Sequence, residues 1–200
     1  HLVHPEGGEA DAAEAIREAH ALLFYDMAGY SFGEGSVTIR PPSPAFREAL
    51  AARFAAGKGA VAMHHALAGW ALWPEWHDWL GGQFHYQPGP HGPDSGYRHD
   101  VAYEARVVTD HPVTRGLPAS FPVTDELYLC PIDESAVTPL LRAEGFAFTA
   151  SNFYSAANAV AGAMFSREGW SHPQGSNCIA WESRACPAPL VYLQFGDGPA

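Results

Sequence analysis

The stretch Lys58-Gly-Ala-Val-Ala-Met-His-His-Ala-Leu-Ala-Gly-Trp70 decides the fold, because a short apolar run between glycines stops abruptly on two histidines. A run of this length predicts a strand that is buried on both faces, as in the parallel sheet of an α/β protein. Open α/β sheets bind ligands in the crevice outside the carboxyl ends of their strands. We therefore expect a site where His64 and His65 follow the strand.

The histidine pair allows two interpretations. A single histidine in a fold is more often a hydrogen-bonded structural group than a functional one. Successive residues of an extended strand, however, face opposite sides of the sheet. We expect the core to absorb one of His64 and His65, and the other to face the crevice.

Composition limits the class of protein and its partners. A chain of 200 residues with 47% hydrophobic and 16% charged residues predicts one compact domain over residues 1–200. Its net charge of −11 argues against nucleic acid and membrane surfaces as partners, and no stretch approaches the ~18 apolar residues of a membrane span. A small molecule is the expected partner, and a homo-oligomer is compatible with the sequence.

The three cysteines indicate the compartment. Cys130, Cys178 and Cys186 form no CxxC spacing, so neither a zinc ribbon nor a redox dithiol is expected. Reduced thiols and a cytoplasmic location are the simplest interpretation. A disulfide between Cys178 and Cys186 in an exported protein, after removal of a leader, is the alternative.

Periodicity and capping residues predict the order of elements. Ser43 before Pro44 is typical of a helix start, and Gly81 of a helix end. The Trp73, Trp76 and Trp79 stripe indicates core packing. Surface positions are expected for His1, His4, His20 and His77. Helices are predicted at 11–20, 43–57 and 72–81, strands at 21–25, 58–63, 101–108 (a half-buried sheet edge), 121–128, 137–141, 179–181 and 189–195, and loops at 30–42 and, as a possible lid, 87–96.

Six motifs in order carry a family resemblance. They are His64-His-Ala-Leu-Ala-Gly-Trp70, Gly82-Gln-Phe-His-Tyr86, Tyr97-Arg-His-Asp100, His111-Pro-Val-Thr-Arg-Gly-Leu117, Asp125-Glu-Leu-Tyr128 and Tyr192-Leu-Gln-Phe-Gly-Asp-Gly198. With them the chain resembles the ThuA-like family, named for trehalose utilisation. The resemblance implies a flavodoxin-like three-layer αβα sandwich with a mostly parallel central sheet, as in class I glutamine amidotransferases.

The same resemblance argues against glutaminase activity. Amidotransferases hold a nucleophilic cysteine at a sharp strand-to-helix turn, and the corresponding turn here is His64-His65. After the last strand, where those enzymes present a histidine, this chain has Gly196-Asp197-Gly198. Family members also begin with a strand ahead of the first helix, whereas only Leu2-Val-His-Pro5 stands there in this sequence.

Histidines at strand ends or turns, joined by the carboxylates Asp100, Asp125 and Glu126, equip a crevice for general acid–base catalysis, because each kind of group shifts the pKa of the other. We expect His65 to be the leading acid or base, with His64, Asp125 and Glu126 positioning it or completing the pair. Aromatic rings would stack on a sugar while polar groups bind its hydroxyls, although such aromatics equally fit core packing. The candidate substrate-binding residues are Trp70, His85, Tyr86, Tyr97, His99, Asp100, Tyr128, Trp170 and His172.

Three functions remain open at this point. The first is an enzyme of carbohydrate metabolism that isomerises, eliminates from or hydrolyses a di- or oligosaccharide or its keto derivative. The second is a metal-dependent hydrolase in which the histidines bind a divalent ion. No HExxH spacing fixes the ligands, and His64 and His65 point apart if both are extended, so the metal ligands stay unknown. The third is a non-catalytic sugar-binding module.

Overall fold

A computed structural model describes residues 9–197, and one large sheet dominates it. Eight of the ten strands in this range form that sheet, in the order β1-β4-β10-β9-β7-β5-β6 with β8 paired to β5, and β2 and β3 form a separate hairpin. The strands are β1 (Leu23–Phe24), β2 (Tyr30–Gly33), β3 (Ser36–Ile39), β4 (Ala60–Met63), β5 (Gly96–Val107), β6 (Ser120–Leu129), β7 (Val137–Glu144), β8 (Tyr154–Ser155), β9 (Cys178–Ser183) and β10 (Leu190–Leu193). The α-helices are α1 (Glu9–Glu18), α2 (Pro44–Ala55), α3 (Pro74–Leu80) and α4 (Ala156–Val160).

The α/β class is confirmed, but the expected mostly parallel sheet is wrong. Only β1 and β10 pair parallel with β4, and the other five pairings in the sheet are antiparallel. Parallel neighbours need a long crossover connection, usually a helix, whereas β5, β6 and β7 follow one another through loops. The strand β5 alternates buried and exposed residues as predicted, yet it lies inside the sheet between β6 and β7.

The core forms two hydrophobic clusters, to which β10 contributes alternating residues. Leu190 and Tyr192 belong to one cluster and Val191 to the other. This alternation follows from the period of two in a strand, which directs successive side chains to opposite faces. Trp73 and Trp76 are buried in the first cluster, which confirms that the tryptophan stripe is core.

Helix boundaries follow the capping signals in two of three cases. The Ser43 hydroxyl accepts a hydrogen bond from the Phe46 backbone amide at 3.2 Å, with Pro44 as the first helical residue. Gly81 follows α3 with a φ of 76°, which a residue with a side chain rarely adopts. The expected cap Asp11 instead lies inside α1, which begins two residues earlier at Glu9.

Two further expectations need comment. The segment 30–42, predicted as a loop, contains the β2–β3 hairpin, whose mostly exposed side chains give no buried period. The segment 2–5, the surface positions of His1 and His4, and Gly198 lie outside the described residues.

His77 is buried in the core and is not at the surface as predicted. It is 9% exposed, and its Nε2 lies 3.1 Å from the Trp70 carbonyl oxygen, to which it donates. Burial lowers the pKa of His77 from 6.5 to about 4, although the bond to Trp70 opposes this shift. The imidazole is therefore neutral in the folded protein at pH values where it is charged in the unfolded chain.

We expect the His77→Gln variant to lose less unfolding free energy than the parent when the pH is lowered from 7 to 4.5. Between pH 6.5 and pH 4, His77 binds a proton in the unfolded parent but stays neutral in the folded parent. Acidification over this range therefore lowers the unfolding free energy of the parent by up to about 3 kcal/mol. Urea unfolding should show that the difference in unfolding free energy between parent and variant is about 2 kcal/mol smaller at pH 4.5 than at pH 7. Parallel pH curves would contradict this, and His20→Gln, at an exposed position, is the control.

All three cysteines are free, with Cys130 and Cys178 buried and Cys186 half-buried, so the open alternative of a Cys178–Cys186 disulfide is not formed. Burial raises the pKa of the Cys130 and Cys178 thiols to about 12. Within residues 9–197, no helix has the length and apolar character needed to cross a membrane.

Candidate active site

The parallel strands β1, β4 and β10 end at one edge of the sheet, and polar side chains follow each end. Tyr25 follows β1, His64 and His65 follow β4, and Asp197 comes four residues after β10. The Tyr25 hydroxyl donates to the Gly196 carbonyl oxygen at 2.8 Å, which joins the first end to the last. The crevice predicted from the β4 sequence is therefore built by all three parallel strands.

The backbone at His64 turns sharply, with a φ of 45° that is uncommon outside glycine, and a single 3₁₀ turn begins there. The pair is not extended, so the condition under which His64 and His65 would point apart is not met, and their ring centroids are 4.3 Å apart. The division between core and crevice does hold, since His64 is fully buried and half-buried His65 lines a pocket. Strained backbone of this kind concentrates at functional sites.

The antiparallel strands β5 and β6 supply the facing wall through a β-bulge. Arg98 pairs with Leu127 and Val101 with Asp125, so His99 and Asp100 together stand opposite the single residue Glu126. Asp100 takes up the extra length with a φ of 54°. Bulges re-aim side chains, and this one directs His99 to the carboxylate of Glu126.

His64 is held on both ring nitrogens. Its Nδ1 lies 2.7 Å from the Gln194 carbonyl oxygen, which can only accept, so Nδ1 carries a proton. Its Nε2 lies 2.7 Å from the Tyr128 hydroxyl and 3.0 Å from Glu126 Oε2. The tautomer of His64 is therefore fixed, with Nε2 directed into the cluster.

Glu126 connects the two walls of the site. Besides its contact with His64, its Oε1 lies 3.3 Å from Nε2 of His99, which is 39% exposed. Asp197 stands across the cluster, 3.8 Å from His64 Nε2 and 3.8 Å from His99 Nδ1. Two imidazoles and two carboxylates thus face one another where the pocket meets the core.

Asp125, predicted as a catalytic residue, lies outside the pocket wall and holds the turn after β10. Its carboxylate accepts backbone hydrogen bonds from Gly196 at 3.0 Å and Asp197 at 3.1 Å, and from Glu126 at 2.8 Å. A carboxylate that binds three amides is a positioning group. Asp125 thereby places Asp197 beside Glu126.

The environment moves the pKa values of these groups in opposite directions. Burial acts against the charged form of His64, but hydrogen bonds to Glu126 and to the Gln194 carbonyl outweigh it, so the pKa of His64 is raised. Burial and the neighbouring His64 lower the pKa of His65 to about 4. Burial and the charge of Glu126 raise the pKa of Asp197. Such divergent values are a feature of acid–base sites.

A pocket of about 350 Å³ opens over this cluster. Six of the predicted site residues line it, and the rest of its wall is apolar apart from Asp197. The predicted residues it brings together are His65, Tyr86, Tyr97, His99, Glu126 and Tyr128. His64 lies beneath the pocket, in contact with Glu126 and Tyr128.

The remaining predicted residues stand outside the pocket wall. Trp70 is buried in the core, with its ring centroid 5.1 Å from that of Phe46. Trp170 donates from Nε1 to the Asp94 carbonyl oxygen at 3.0 Å, and its ring lies 5.9 Å from that of His172. His85 stacks on His91, and Asp100 is exposed on the bulge.

Sequence reasoning missed Asp197 as a site residue, and with it the apolar part of the pocket wall. The signal for Asp197 was present, since this acidic residue comes only four residues after the last buried strand. Met27 could have been predicted in the same way, because it follows the end of β1. Phe32 and Met164 could not be predicted from the sequence. Both side chains are about half exposed, and only the folded structure shows that they line the pocket.

Comparisons with known proteins agree with this architecture. A sequence profile of the ThuA family, described as trehalose utilisation, matches residues 14–197. No curated protein sequence matches the chain. Because the profile covers most of the chain, it identifies the family independently of the structural comparisons.

Solved structures share the fold at low sequence identity. A ThuA-like protein from Bacteroides uniformis superposes with a TM-score of 0.58 at 20% identity, over 96% of this chain and 66% of its own length. One from Parabacteroides merdae gives 0.57 at 14% identity, over 100% and 63%. A cytoplasmic protein from Salmonella typhimurium gives 0.53 at 11%, over 94% and 65%. This chain thus spans just under two thirds of their lengths, and it belongs to the ThuA family.

Proposed function

We propose that this chain is an enzyme of carbohydrate metabolism that isomerises, eliminates from or hydrolyses a sugar or keto-sugar by acid–base chemistry. The observation that carries the proposal is Glu126, buried between His64 and His99 at 3.0 and 3.3 Å. A proton can move between a carboxylate and an imidazole at hydrogen-bond distance. Membership of a family described by trehalose utilisation supports the substrate class.

The composition of the pocket wall also supports a sugar as the substrate. The wall presents ionisable groups, namely His65, His99, Glu126 and Asp197. The same wall also presents rings and methionines, among them Phe32, Tyr86 and Met164. A sugar has hydroxyls on its rim and apolar C–H groups on its faces, so a wall of this mixed character complements it.

His99 is the proposed proton-transfer group at the surface of the pocket. It is the more exposed of the two imidazoles beside Glu126, at 39% against complete burial for His64. A substrate in the pocket can therefore reach His99 directly, while His64 acts through Glu126. His65, neutral because its pKa is about 4, lines the same pocket as a second acceptor.

The test is incubation with a set of mono- and disaccharides and their keto derivatives, followed by mass spectrometry. Unchanged mass at a new retention time indicates isomerisation. Two products whose masses sum to that of the substrate, or one product lighter by a water, indicate elimination, and two products whose masses sum to substrate plus water indicate hydrolysis. We expect His99→Gln to reduce turnover about 100-fold or more, since it cannot transfer a proton. His172→Gln, outside the pocket wall, should turn over like the parent.

Two outcomes would overturn the proposal. Saturable sugar binding without product would assign the chain to the class of sugar-binding modules. Unchanged turnover in the His99→Gln variant would remove this histidine from the chemistry.

A further inference from the structure

Four side chains beneath and beside the pocket offer metal-ligand atoms that all lie within 4.8 Å of one another: His64, His65, Glu126 and Asp197. They come from three separated parts of the chain, after β4, within β6 and after β10. Two of the four are buried, one is half-buried and one is exposed, so the set reaches from the core to the pocket. A cation there would sit at the floor of the pocket.

The neighbours of these residues support ligation. The Gln194 carbonyl fixes the Nδ1 proton of His64 at 2.7 Å, which leaves the lone pair of the neutral ring on Nε2, on the side of Glu126. Metal-binding histidines are commonly oriented by such a hydrogen bond to a carbonyl. Asp125 positions Asp197, because its carboxylate accepts a hydrogen bond from the Asp197 backbone amide at 3.1 Å.

The charges of these residues also favour a bound cation. Glu126 and Asp197 place two carboxylates at one small site, next to imidazoles that are fully or half buried. Within residues 9–197, no arginine or lysine forms an ion pair with either carboxylate. A divalent cation would neutralise both at once, which a single protonated histidine does not.

We infer that His64, His65, Glu126 and Asp197 bind one divalent transition-metal ion, of the class of Zn²⁺ or Mn²⁺, at the floor of the pocket. Two imidazole nitrogens and two carboxylate oxygens are a donor set typical of these ions, whereas Mg²⁺ and Ca²⁺ prefer oxygen alone. The inference rests on the proposed site but concerns its cofactor. Glu126 would bind the ion through one oxygen, Oε2 on the side of His64, while its Oε1 still faces His99 at 3.3 Å, so His99 remains outside the ligand set as the proposed proton-transfer group.

The experiment is a titration of chelator-treated, tag-free protein with Zn²⁺ by calorimetry, repeated with Co²⁺ to record its visible absorption. We expect one Zn²⁺ per chain and a Co²⁺ spectrum of low coordination number with nitrogen and oxygen ligands. His65→Gln and Asp197→Asn should each weaken Zn²⁺ binding by at least about 10- to 100-fold. Neither replaces the buried His64, so both variants should keep the fold, which circular dichroism checks.

His85→Gln is the matched control, because it removes a half-buried histidine that lies outside the four and should bind Zn²⁺ within about twofold of the parent. Parent protein without one-to-one binding would overturn the inference. Binding that both ligand variants retain would overturn it as well, since histidines elsewhere in the chain would then hold the ion. Sugar turnover by a protein that binds no Zn²⁺ would leave the proposed function standing while the metal site fails, and Zn²⁺ binding without turnover would do the reverse.

Discussion

The Glu126→Gln variant should lose sugar turnover by about 10²- to 10⁴-fold while it keeps its fold. Glutamine has the size of glutamate but neither accepts nor delivers a proton, and general acid–base groups contribute this factor. Its amide would also present N–H groups or an uncharged oxygen to His64 and His99, where the carboxylate stood at 3.0 and 3.3 Å. Steady-state turnover of the substrate found by mass spectrometry measures the loss.

The chain provides a matched control for that variant. Glu182 also contacts a histidine, with Oε2 3.2 Å from Nε2 of His111, but neither residue lines the pocket. Glu182→Gln should therefore change turnover less than about threefold. Equal losses in both variants would show that the loss is not specific to Glu126 in the pocket, and full activity of Glu126→Gln would exclude its proposed role.

Asp125→Asn should reduce both stability and turnover. The Asp125 carboxylate accepts hydrogen bonds from three backbone amides through its two oxygens, and an asparagine retains only one oxygen, so at least one buried or partly buried N–H loses its partner. That loss costs about 1–3 kcal/mol of unfolding free energy. Turnover should fall about 10- to 100-fold, because the turn that carries Asp197 is no longer fixed beside Glu126.

A double-mutant cycle separates positioning from general destabilisation. If Asp125 acts through Asp197, the Asp125→Asn/Asp197→Asn double variant should lose little more turnover than Asp197→Asn alone. Additive losses would contradict the positioning role. Asp133→Asn serves as the surface control, because that carboxylate caps only its own turn, accepting from Ser135 at 2.9 Å.

The sequence predicts local elements of this fold well and the pairing of strands poorly. Ser43, Pro44 and Gly81 act through neighbours within a turn of helix, so their signals can be recognised without knowing the fold. Whether β5 runs parallel or antiparallel to its neighbours depends on how loops return the chain, and its alternating pattern is the same in either case. The β2–β3 hairpin was missed because its side chains are mostly exposed.

The same distinction applies to the site. The end of a recognisable strand identifies His64 and His65, and Glu126 lies within another recognisable strand, β6. His99 reaches Glu126 only through the bulge, which the sequence does not reveal. Trp70 and Trp170 have the composition of a sugar platform but pack elsewhere, since a ring suits a core as well as a ligand.

The site joins residues that are far apart in the chain, at positions 64, 126 and 197, and this has a thermodynamic consequence. Any ligand held among them binds the folded sheet and has no equivalent in the unfolded chain. Occupancy is therefore coupled to global unfolding, and ligand at a hundred times its dissociation constant adds about 2.7 kcal/mol of stability. The melting temperature of the whole molecule thus reports what the pocket binds.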